Sequence, residues 1–370
     1  METIFKGLEI MDLNEKTATT YQFANTSRIK RMLWIGFYTL IFNILTLTLF
    51  RFWGRTHFRR QLWSDTTVNG EAFEYTGTGK ELFIGFLIAI FTVMLPTFGT
   101  VFLAQLFLGE VGAALAILVI YLVLFWLIGV AIFLARRYII SRTRYRGIRF
   151  EQRGSPTEYG LRAFGYGFLT SITLGWFGPA ARIRLSKYMW SQAYFGDKKI
   201  SFEDTPEAMK EPVYSSFALV WVGGVAMYIL FFAAIAALGL IERLALGDVE
   251  ATLTLYALAI PFGLIFSVFS AWHSVVMVRR IVKSLSLEGA KATCDLTTFQ
   301  LIKVWLASFG LIIITLGIGT MAARMMAWRL IANHIRFEGE IDFAAIAQAA
   351  STGPSQGEGI ADGFDIGAGF

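Results

Sequence analysis

Histidine, cysteine and acidic side chains are the groups that could support catalysis or bind a metal, and this sequence spaces few of them suitably. Its three histidines, His57, His273 and His334, lie far apart, and none belongs to a His-Glu-x-x-His pair. The single cysteine, Cys294, has no identified base partner and is predicted to be a reduced thiol in a cytoplasmic loop. We therefore predict no catalytic residue, no metal site, no cofactor and no enzymatic activity.

Arginine is the charged residue that forms a clear cluster. Residues 136–153 contain seven arginines with interleaved aromatic residues. Each basic group beside an anionic leaflet contributes about 1 kcal/mol to membrane binding. The cluster is therefore predicted to contact anionic lipid headgroups at the cytoplasmic face of a membrane, the alternative being an acidic cytosolic partner.

The composition indicates that these residues belong to a membrane protein. Hydrophobic residues make up 55% of the 370 residues, charged residues only 16%, and the mean hydropathy is +0.57. Because a soluble globular chain has about 25% charged residues, this chain cannot cover a soluble surface. The formal net charge of +6 then indicates cytoplasmic loops beside anionic lipid, and no nucleic-acid partner is expected.

Two long apolar regions predict two transmembrane hairpins. In residues 82–135 the only charged residue is Glu110, which separates two helices. Residues 215–241 and 252–278 form a second pair. Each helix exceeds the roughly 20 residues needed to cross a bilayer core. Lys and Arg mark the cytoplasmic side of a membrane protein. The tips of the two hairpins, where their paired helices are joined, contain only one Lys or Arg residue, Arg243. Both tips are therefore predicted to face away from the cytoplasm.

Three further apolar segments, 32–50, 163–181 and 304–323, carry basic residues at both ends. Each is about 20 residues long, the minimum for a span. If all three crossed the membrane, one flank of each would violate the positive-inside rule. Two interpretations stay open: kinked or re-entrant segments covered by protein, which leaves four spans, or ordinary spans, which gives seven.

An internal repeat is visible at an offset of 77 residues. The residues Arg59-Arg60, Thr66, Gly70, Phe73, Gly77 and Glu81 recur as Arg136-Arg137, Thr143, Gly147, Phe150, Gly154 and Glu158. Seven coincidences without a gap are not expected by chance, so the chain is predicted to contain tandem structural units.

A second repeated element combines Thr-Leu with an arginine nine residues after the threonine. The copies are Thr46-Leu47 with Arg55, Thr173-Leu174-Gly175 with Arg182, and Thr315-Leu316-Gly317 with Arg324. Small residues permit close helix contacts, so Thr46, Thr173, Gly175, Thr315 and Gly317 are predicted to mark a bend or to line a membrane path. The three arginines, with Arg136 and Arg137, are predicted to contact lipid or a partner at the interface.

These motifs carry a resemblance to a known family. The Thr-Leu-Gly segment with its downstream arginine, followed by Gly-x-x-Phe-x-Tyr-x-Gly and Glu-Leu-Phe within 70–83, resembles the YjgN-type bacterial inner-membrane proteins, which are defined by a domain of unknown function. The resemblance covers residues 20–343 and departs at Thr48, which replaces the glycine of the first copy. It implies a multi-pass protein of the bacterial inner membrane and transfers no functional residue.

The predicted fold is an all-α polytopic membrane protein. It has two transmembrane hairpins, three Thr-Leu-Gly-type kinked or re-entrant membrane segments, and short cytoplasmic β-hairpin-like insertions with β-forming residues between turn glycines. The predicted divisions are a cytoplasmic N-terminal segment (1–31), a first membrane repeat unit (32–158), a second unit (159–298), a third partial repeat (299–348) and a disordered tail (349–370).

Two functions from different classes fit this sequence. The repeats and broken segments favour a transporter or permease-like protein for a neutral or amphipathic solute. The absence of intramembrane charge and the basic cytoplasmic face favour a non-transporting scaffold or lipid-organising protein. Membrane lipids with anionic headgroups are the expected partners, and the sequence indicates neither a substrate nor a protein partner.

Overall fold

The computed structural model describes residues 19–347, and its strands form a closed antiparallel barrel. The strands are β1 (Thr20–Asn25), β2 (Thr66–Val68), β3 (Glu71–Tyr75), β4 (Thr143–Tyr145), β5 (Ile148–Gln152), β6 (Ala193–Phe195), β7 (Lys198–Phe202), β8 (Leu285–Leu287), β9 (Ala290–Cys294) and β10 (Ile335–Glu338). Each strand pairs with its neighbours in chain order, and β1 also pairs with β10, which closes the barrel.

The alternation of side chains and the tight turns explain why these short segments form strands. Successive side chains of a strand point to opposite faces, and Phe23 of β1 packs inside the barrel against Phe73 and Phe337. The turns Asn69-Gly70, Arg146-Gly147 and Glu288-Gly289 have positive φ at both residues, as a type I′ turn requires.

The barrel shows that the predicted all-α fold is wrong. The β-hairpins are not isolated insertions, because their edges join around the molecule, as in the pairs Phe73↔Tyr145 and Ile200↔Leu287. Periodicity could not reveal this pairing, since each strand has only three to six residues and paired strands are often separated by a whole helical hairpin.

Helices connect the strands at one end of the barrel. They are α1 (Ile29–Leu45), α2 (Arg51–Ser64), α3 (Gly79–Ala89), α4 (Leu95–Ser141), α5 (Pro156–Ile172), α6 (Gly178–Ser191), α7 (Pro206–Met209), α8 (Val213–Ala237), α9 (Leu240–Ala245), α10 (Val249–Val282), α11 (Thr298–Ile314) and α12 (Thr320–Ala332). A π-helical turn, Ile90–Met94, continues α3 into α4, and α4 is broken at Gly109, where φ is 67° and ψ is −160°.

Each helical pair leaves the barrel rim and returns to it. Asn25 pairs with Thr66, so the start of α1 and the end of α2 lie side by side. The pairs α1–α2, α5–α6 and α11–α12 are named here the first, second and third short hairpins. A 17-residue helix is about 25 Å long, which is less than the roughly 30 Å of a bilayer core.

The other two pairs, α3–α4 and α8–α10, are the first and second long hairpins. Three helical stretches, Gly79–Ser141, Pro206–Ala237 and Val249–Val282, are long and apolar enough to cross a membrane. Apart from the short α7 at the start of the second stretch, all three fall within the long hairpins, so the segments predicted as the transmembrane pairs supply the candidate spans.

The order of the hairpins around the barrel puts two short hairpins together. Because β1 pairs with β10, the first and third short hairpins are neighbours, and Met32, Phe52 and Met325 of these hairpins are fully buried in one cluster. The second short hairpin lies between the two long ones. The domain boundaries stay predictions, and the first 18 residues and the tail 349–370 lie outside the described residues.

Candidate functional site

The inside of the barrel is an apolar cavity of about 310 Å³, named here the lumen. Alternate residues of all ten strands line it, and most are aliphatic or aromatic. The strand residues are Tyr21, Phe23, Thr66, Val68, Phe73, Thr143, Tyr145, Phe150, Ala193, Phe195, Ile200, Leu285, Leu287, Ala292, Ile335 and Phe337. Apolar cavities of this kind stay dry and bind apolar molecules.

The segment that follows β10 covers the end of the lumen opposite the helices. Ile341 exchanges hydrogen bonds with the Tyr21 hydroxyl, and the Phe343 ring lies 5.4 Å from that of Tyr21. Farther along, the Asp197 amide donates to the Ala347 carbonyl at 3.0 Å, and the Ala347 amide donates to Asp197 Oδ1 at 3.1 Å. The lumen therefore has a floor that is attached by hydrogen bonds.

The last turns of the returning helices form the roof of the lumen. Trp63 of α2 and Trp328 of α12 stack with centroids 5.7 Å apart, and their indole N–H groups donate to Thr143 and Thr66 of the barrel. Trp190 of α6 is the third tryptophan of the roof. The Arg136 guanidinium carbon lies over its ring, 4.1 Å from the ring centroid.

A second cavity of about 490 Å³, named here the crevice, opens between α4, α5 and α6. It extends from Thr170 and Gly178, beside the Thr-Leu-Gly turn, to Met189 and Trp190 at the barrel rim. The lining residues are Ile132, Arg136, Ile139, Tyr159, Ala163, Tyr166, Gly167, Thr170, Gly178, Ala181, Arg182, Leu185, Ser186, Met189 and Trp190. Arg136, Ile139 and Trp190 line both cavities, so these three side chains form the wall between them.

The crevice is positively charged. Arg136 Nε donates to Gln152 Oε1 at 3.4 Å, but Arg136 Nη2 is buried and has no hydrogen-bond partner within residues 19–347. Arg182 forms no ion pair with any described residue. No Asp or Glu is among the described residues that line the crevice. A buried cation without a partner is costly, so the crevice is suited to an anion.

The three threonines predicted to mark a bend or a path all lie in turns between paired helices and form the same bonds. The Thr173 hydroxyl donates to the Leu169 carbonyl at 2.8 Å and accepts the Phe177 amide at 2.9 Å. Thr46 and Thr315 make the equivalent pair of bonds. Each hydroxyl therefore satisfies backbone groups of its own turn, and none of the three lines the crevice or the lumen.

The glycines of these turns have a conformational role. Gly175 and Gly317 have φ of +94° and +91°, and the preceding leucines have φ of +50°. Glycine adopts this left-handed conformation at no steric cost. In the first turn Thr48 takes the same place with φ of +71°, which is a strained conformation for a threonine.

The structure brings together two of the five predicted arginines. Arg136 and Arg182 both line the crevice, although they come from different hairpins. Arg55 and Arg324 lie on the other two short hairpins, away from both cavities. Arg137 Nη2 donates to the Gly154 carbonyl, and Arg60 makes the equivalent bond to Gly77, so these positions fix loops at the rim.

Sequence reasoning missed Ile139 and Tyr159 of the crevice. They carry no motif, and only the packing of α4 on α5 brings them together; at Gly129 an added Cβ would lie 2.8 Å from Ala163 Cβ. The histidines bond to separate partners: His57 to Tyr38, His273 to Ser216 and His334 to Leu330.

Metal-binding chemistry finds no support within the described part of the chain, which holds no group of three His, Cys, Asp or Glu residues that could bind a metal. Cys294 lies buried in β9, and this burial raises the pKa of its thiol.

The comparison with known families gives one match. No curated protein and no solved structure matches the chain significantly. Residues 20–363 match a family described as bacterial protein of unknown function (DUF898), which agrees with the family resemblance of the sequence motifs. Because the match covers most of the sequence, the chain belongs to this family.

Proposed function

We propose that this protein is a multi-pass protein of the bacterial inner membrane, built from repeated units, that takes an amphipathic solute from the bilayer into its barrel in a permease-like step. The observation that carries this proposal is the shared wall of the two cavities. The crevice extends from the Thr-Leu-Gly turn to this wall, and the apolar lumen lies on its other side. Small-molecule sites usually have volumes of about 300–1,000 Å³, and both cavities fall within that range.

Charge supports a cytoplasmic position for the barrel. Its outer face carries exposed basic residues such as Arg144, Lys199 and Lys291, and basic residues are enriched on the cytoplasmic side. At the opposite end of the molecule, Leu47 and Leu316 at the tips of two short hairpins are 86% and 91% exposed. Exposed leucine side chains are more stable in a bilayer than in water, so the hairpins lie in the membrane.

The second candidate function is lipid binding without transport. It is favoured by the floor of the lumen, because Phe343 and its neighbours cover the barrel end through which a solute would leave. A protein of this kind would hold its ligand and organise lipid at the cytoplasmic face.

Filling the lumen tests both candidates. Ala292 is 3% exposed and lines the lumen, whereas Ala72 of β3 is exposed on the outer face. In purified protein, Ala292→Phe is expected to weaken binding of radiolabelled decanoate at least tenfold, while the control Ala72→Phe binds as the wild type does. Failure of the wild type to bind, or equal binding by Ala292→Phe, would contradict the proposal.

Transport is then distinguished from retention in proteoliposomes. Radiolabelled lysophosphatidate is added to the outer leaflet, and its transfer inward is followed by the loss of extraction with albumin. The proposed permease-like step predicts faster transfer than in protein-free vesicles, and slower transfer with Ala292→Phe than with wild type. Tight binding without accelerated transfer would favour the lipid-organising function.

A further inference from the structure

We infer that the crevice binds the anionic headgroup of a single-chain amphiphile between Arg136 and Arg182, with the alkyl chain directed into the lumen. This inference rests on the proposed function and specifies the chemical class of its solute. The shared chemistry is a carboxylate or phosphate attached to one alkyl chain.

Arg136 supplies the first cation of the proposed headgroup site. It lies on α4 close to the barrel rim, where Ile139 and Tyr159 surround it in the crevice. One nitrogen, Nε, has a long bond to Gln152, while the buried Nη2 has no partner among the described residues. A guanidinium is built to donate two parallel hydrogen bonds to a carboxylate or phosphate. Arg136 lines the crevice, and its unused Nη2 donor is buried beside it, so an oxyanion that moves the neighbouring side chains would satisfy this donor.

Arg182 supplies the second cation of the site. It lies on α6, lines the same cavity and forms no ion pair within the described chain. Its equivalents at the same distance from the Thr-Leu pair, Arg55 and Arg324, line neither the crevice nor the lumen. Hydroxyl groups of Tyr166, Thr170 and Ser186 add hydrogen-bonding capacity. Two cations and several hydroxyls, with no carboxylate in the described lining, make a site for an anion.

The wall between the cavities determines the orientation of the ligand. A headgroup oxygen that bonds to Arg136 displaces the Trp190 ring from beneath the guanidinium, where it now lies at 4.1 Å. Since Trp190 lines both cavities, this displacement opens the lumen to the chain attached to the headgroup. A lumen of about 310 Å³ is near the lower limit for small-molecule sites, about 300 Å³, and so receives one chain rather than two.

The test compares different headgroups attached to the same alkyl chain. Binding of decanoate, decyl phosphate, decanol and inorganic phosphate is measured with purified wild type, Arg136→Gln, Arg182→Gln and the control Arg324→Gln. Each protein is first checked by size-exclusion chromatography and thermal unfolding. Loss of one charge-assisted hydrogen bond weakens binding about tenfold or more. We expect that loss for the two anionic amphiphiles in Arg136→Gln and in Arg182→Gln, with decanol unaffected and Arg324→Gln like the wild type.

The outcomes separate this inference from the proposed function. If every variant binds decanoate and decanol as the wild type does, the lumen binds ligand but the headgroup site is refuted. If Arg324→Gln loses as much affinity as Arg182→Gln, general surface charge explains the result and the site is again refuted. Binding of inorganic phosphate as tightly as decyl phosphate would replace the amphiphile with a free anion. Absence of all binding by the wild type contradicts the proposed function itself.

Should Arg136→Gln fail to fold, Arg182→Gln keeps the test decisive, because Arg182 lies on the exposed side of α6. Arg136→Lys supplies a further measure: it keeps the charge but loses the bidentate geometry. We expect it to recover part of the affinity for decyl phosphate, and recovery of none would argue against a charge-assisted contact at this position.

Discussion

The first and third short hairpins form a tightly packed pair, whereas the second short hairpin, with the same turn, borders a cavity. In the packed pair Met325 is fully buried, and a Cβ added to Gly36 would overlap the Ile318 carbonyl oxygen. In the second hairpin Ala163, Thr170 and Ala181 line the crevice. All three turns use the same threonine bonds, so the turn does not decide where a site forms.

The position of a short hairpin around the barrel decides whether a cavity forms beside it. The packed hairpins are neighbours because β1 pairs with β10, and two short helical pairs of similar length can bury each other. The second short hairpin lies between two long hairpins that extend beyond its tip, and α6 separates from α4 enough to leave the crevice. A local motif therefore fixes the turn, while the neighbours decide whether a cavity remains.

Shortening a methionine should give the largest difference between the two regions. Met325 is 0% exposed and Met189, which lines the crevice, is 6% exposed. Methionine to alanine in a core costs about 2–5 kcal/mol of unfolding free energy. We expect Met325→Ala to fall within that range and Met189→Ala at or below its lower end, because Met189 already borders a void. Thermal unfolding in detergent measures both.

One outcome would contradict the prediction for the two methionines. Equal losses for Met325→Ala and Met189→Ala would mean that the crevice is as well packed as the paired hairpins, and the comparison would lose its basis.

Adding a methyl group should act in opposite directions at a tightly packed glycine of the first hairpin and at an open glycine of the second. Gly36→Ala places a Cβ against the Ile318 backbone, and overpacking of this kind costs about 1–3 kcal/mol. Gly165→Ala meets open space, and alanine is favoured over glycine within a helix by about 0.5–1 kcal/mol. The unfolding temperature should therefore fall for the first variant and rise for the second. A rise for both would show that the paired hairpins can move apart.

The sequence alone located the long apolar helices and the Thr-Leu turns, but not the barrel or the crevice. Largely apolar helices of 25 or more residues, such as α8, leave a strong local signal. A three-residue strand such as β2 leaves almost none, and its partner β1 lies beyond a helical hairpin. The repeated motif presents Arg182, Arg55 and Arg324 as three equivalent residues. Only tertiary packing shows that Arg182 differs from the other two.

Removing the turn hydroxyl should have a smaller effect that is equal in all three short hairpins. Thr46→Val, Thr173→Val and Thr315→Val keep the side-chain shape but lose an acceptor for an amide and a donor to a carbonyl. Loss of a comparable helix cap costs about 1 kcal/mol. We expect similar falls in unfolding temperature and unchanged decanoate binding. A selective loss of binding in Thr173→Val would instead place this hydroxyl on the solute path.

The smallest expected effect is a difference in thiol reactivity between a cysteine in the barrel and a cysteine in the crevice. Cys294 is buried in β9, and burial raises the pKa of its thiol. Since the thiolate is the reactive form, a raised pKa lowers its fraction at pH 7, and labelling should accelerate only as the pH rises. Ser186→Cys, in a Cys294→Ser background, places a thiol in the open crevice. We expect N-ethylmaleimide to label this variant at pH 7 well before it labels Cys294 in the wild type. Bound decanoate should protect the Ser186→Cys thiol and leave Cys294 unchanged. Rapid labelling of Cys294 in the folded protein would show that the barrel opens to reagents without a ligand.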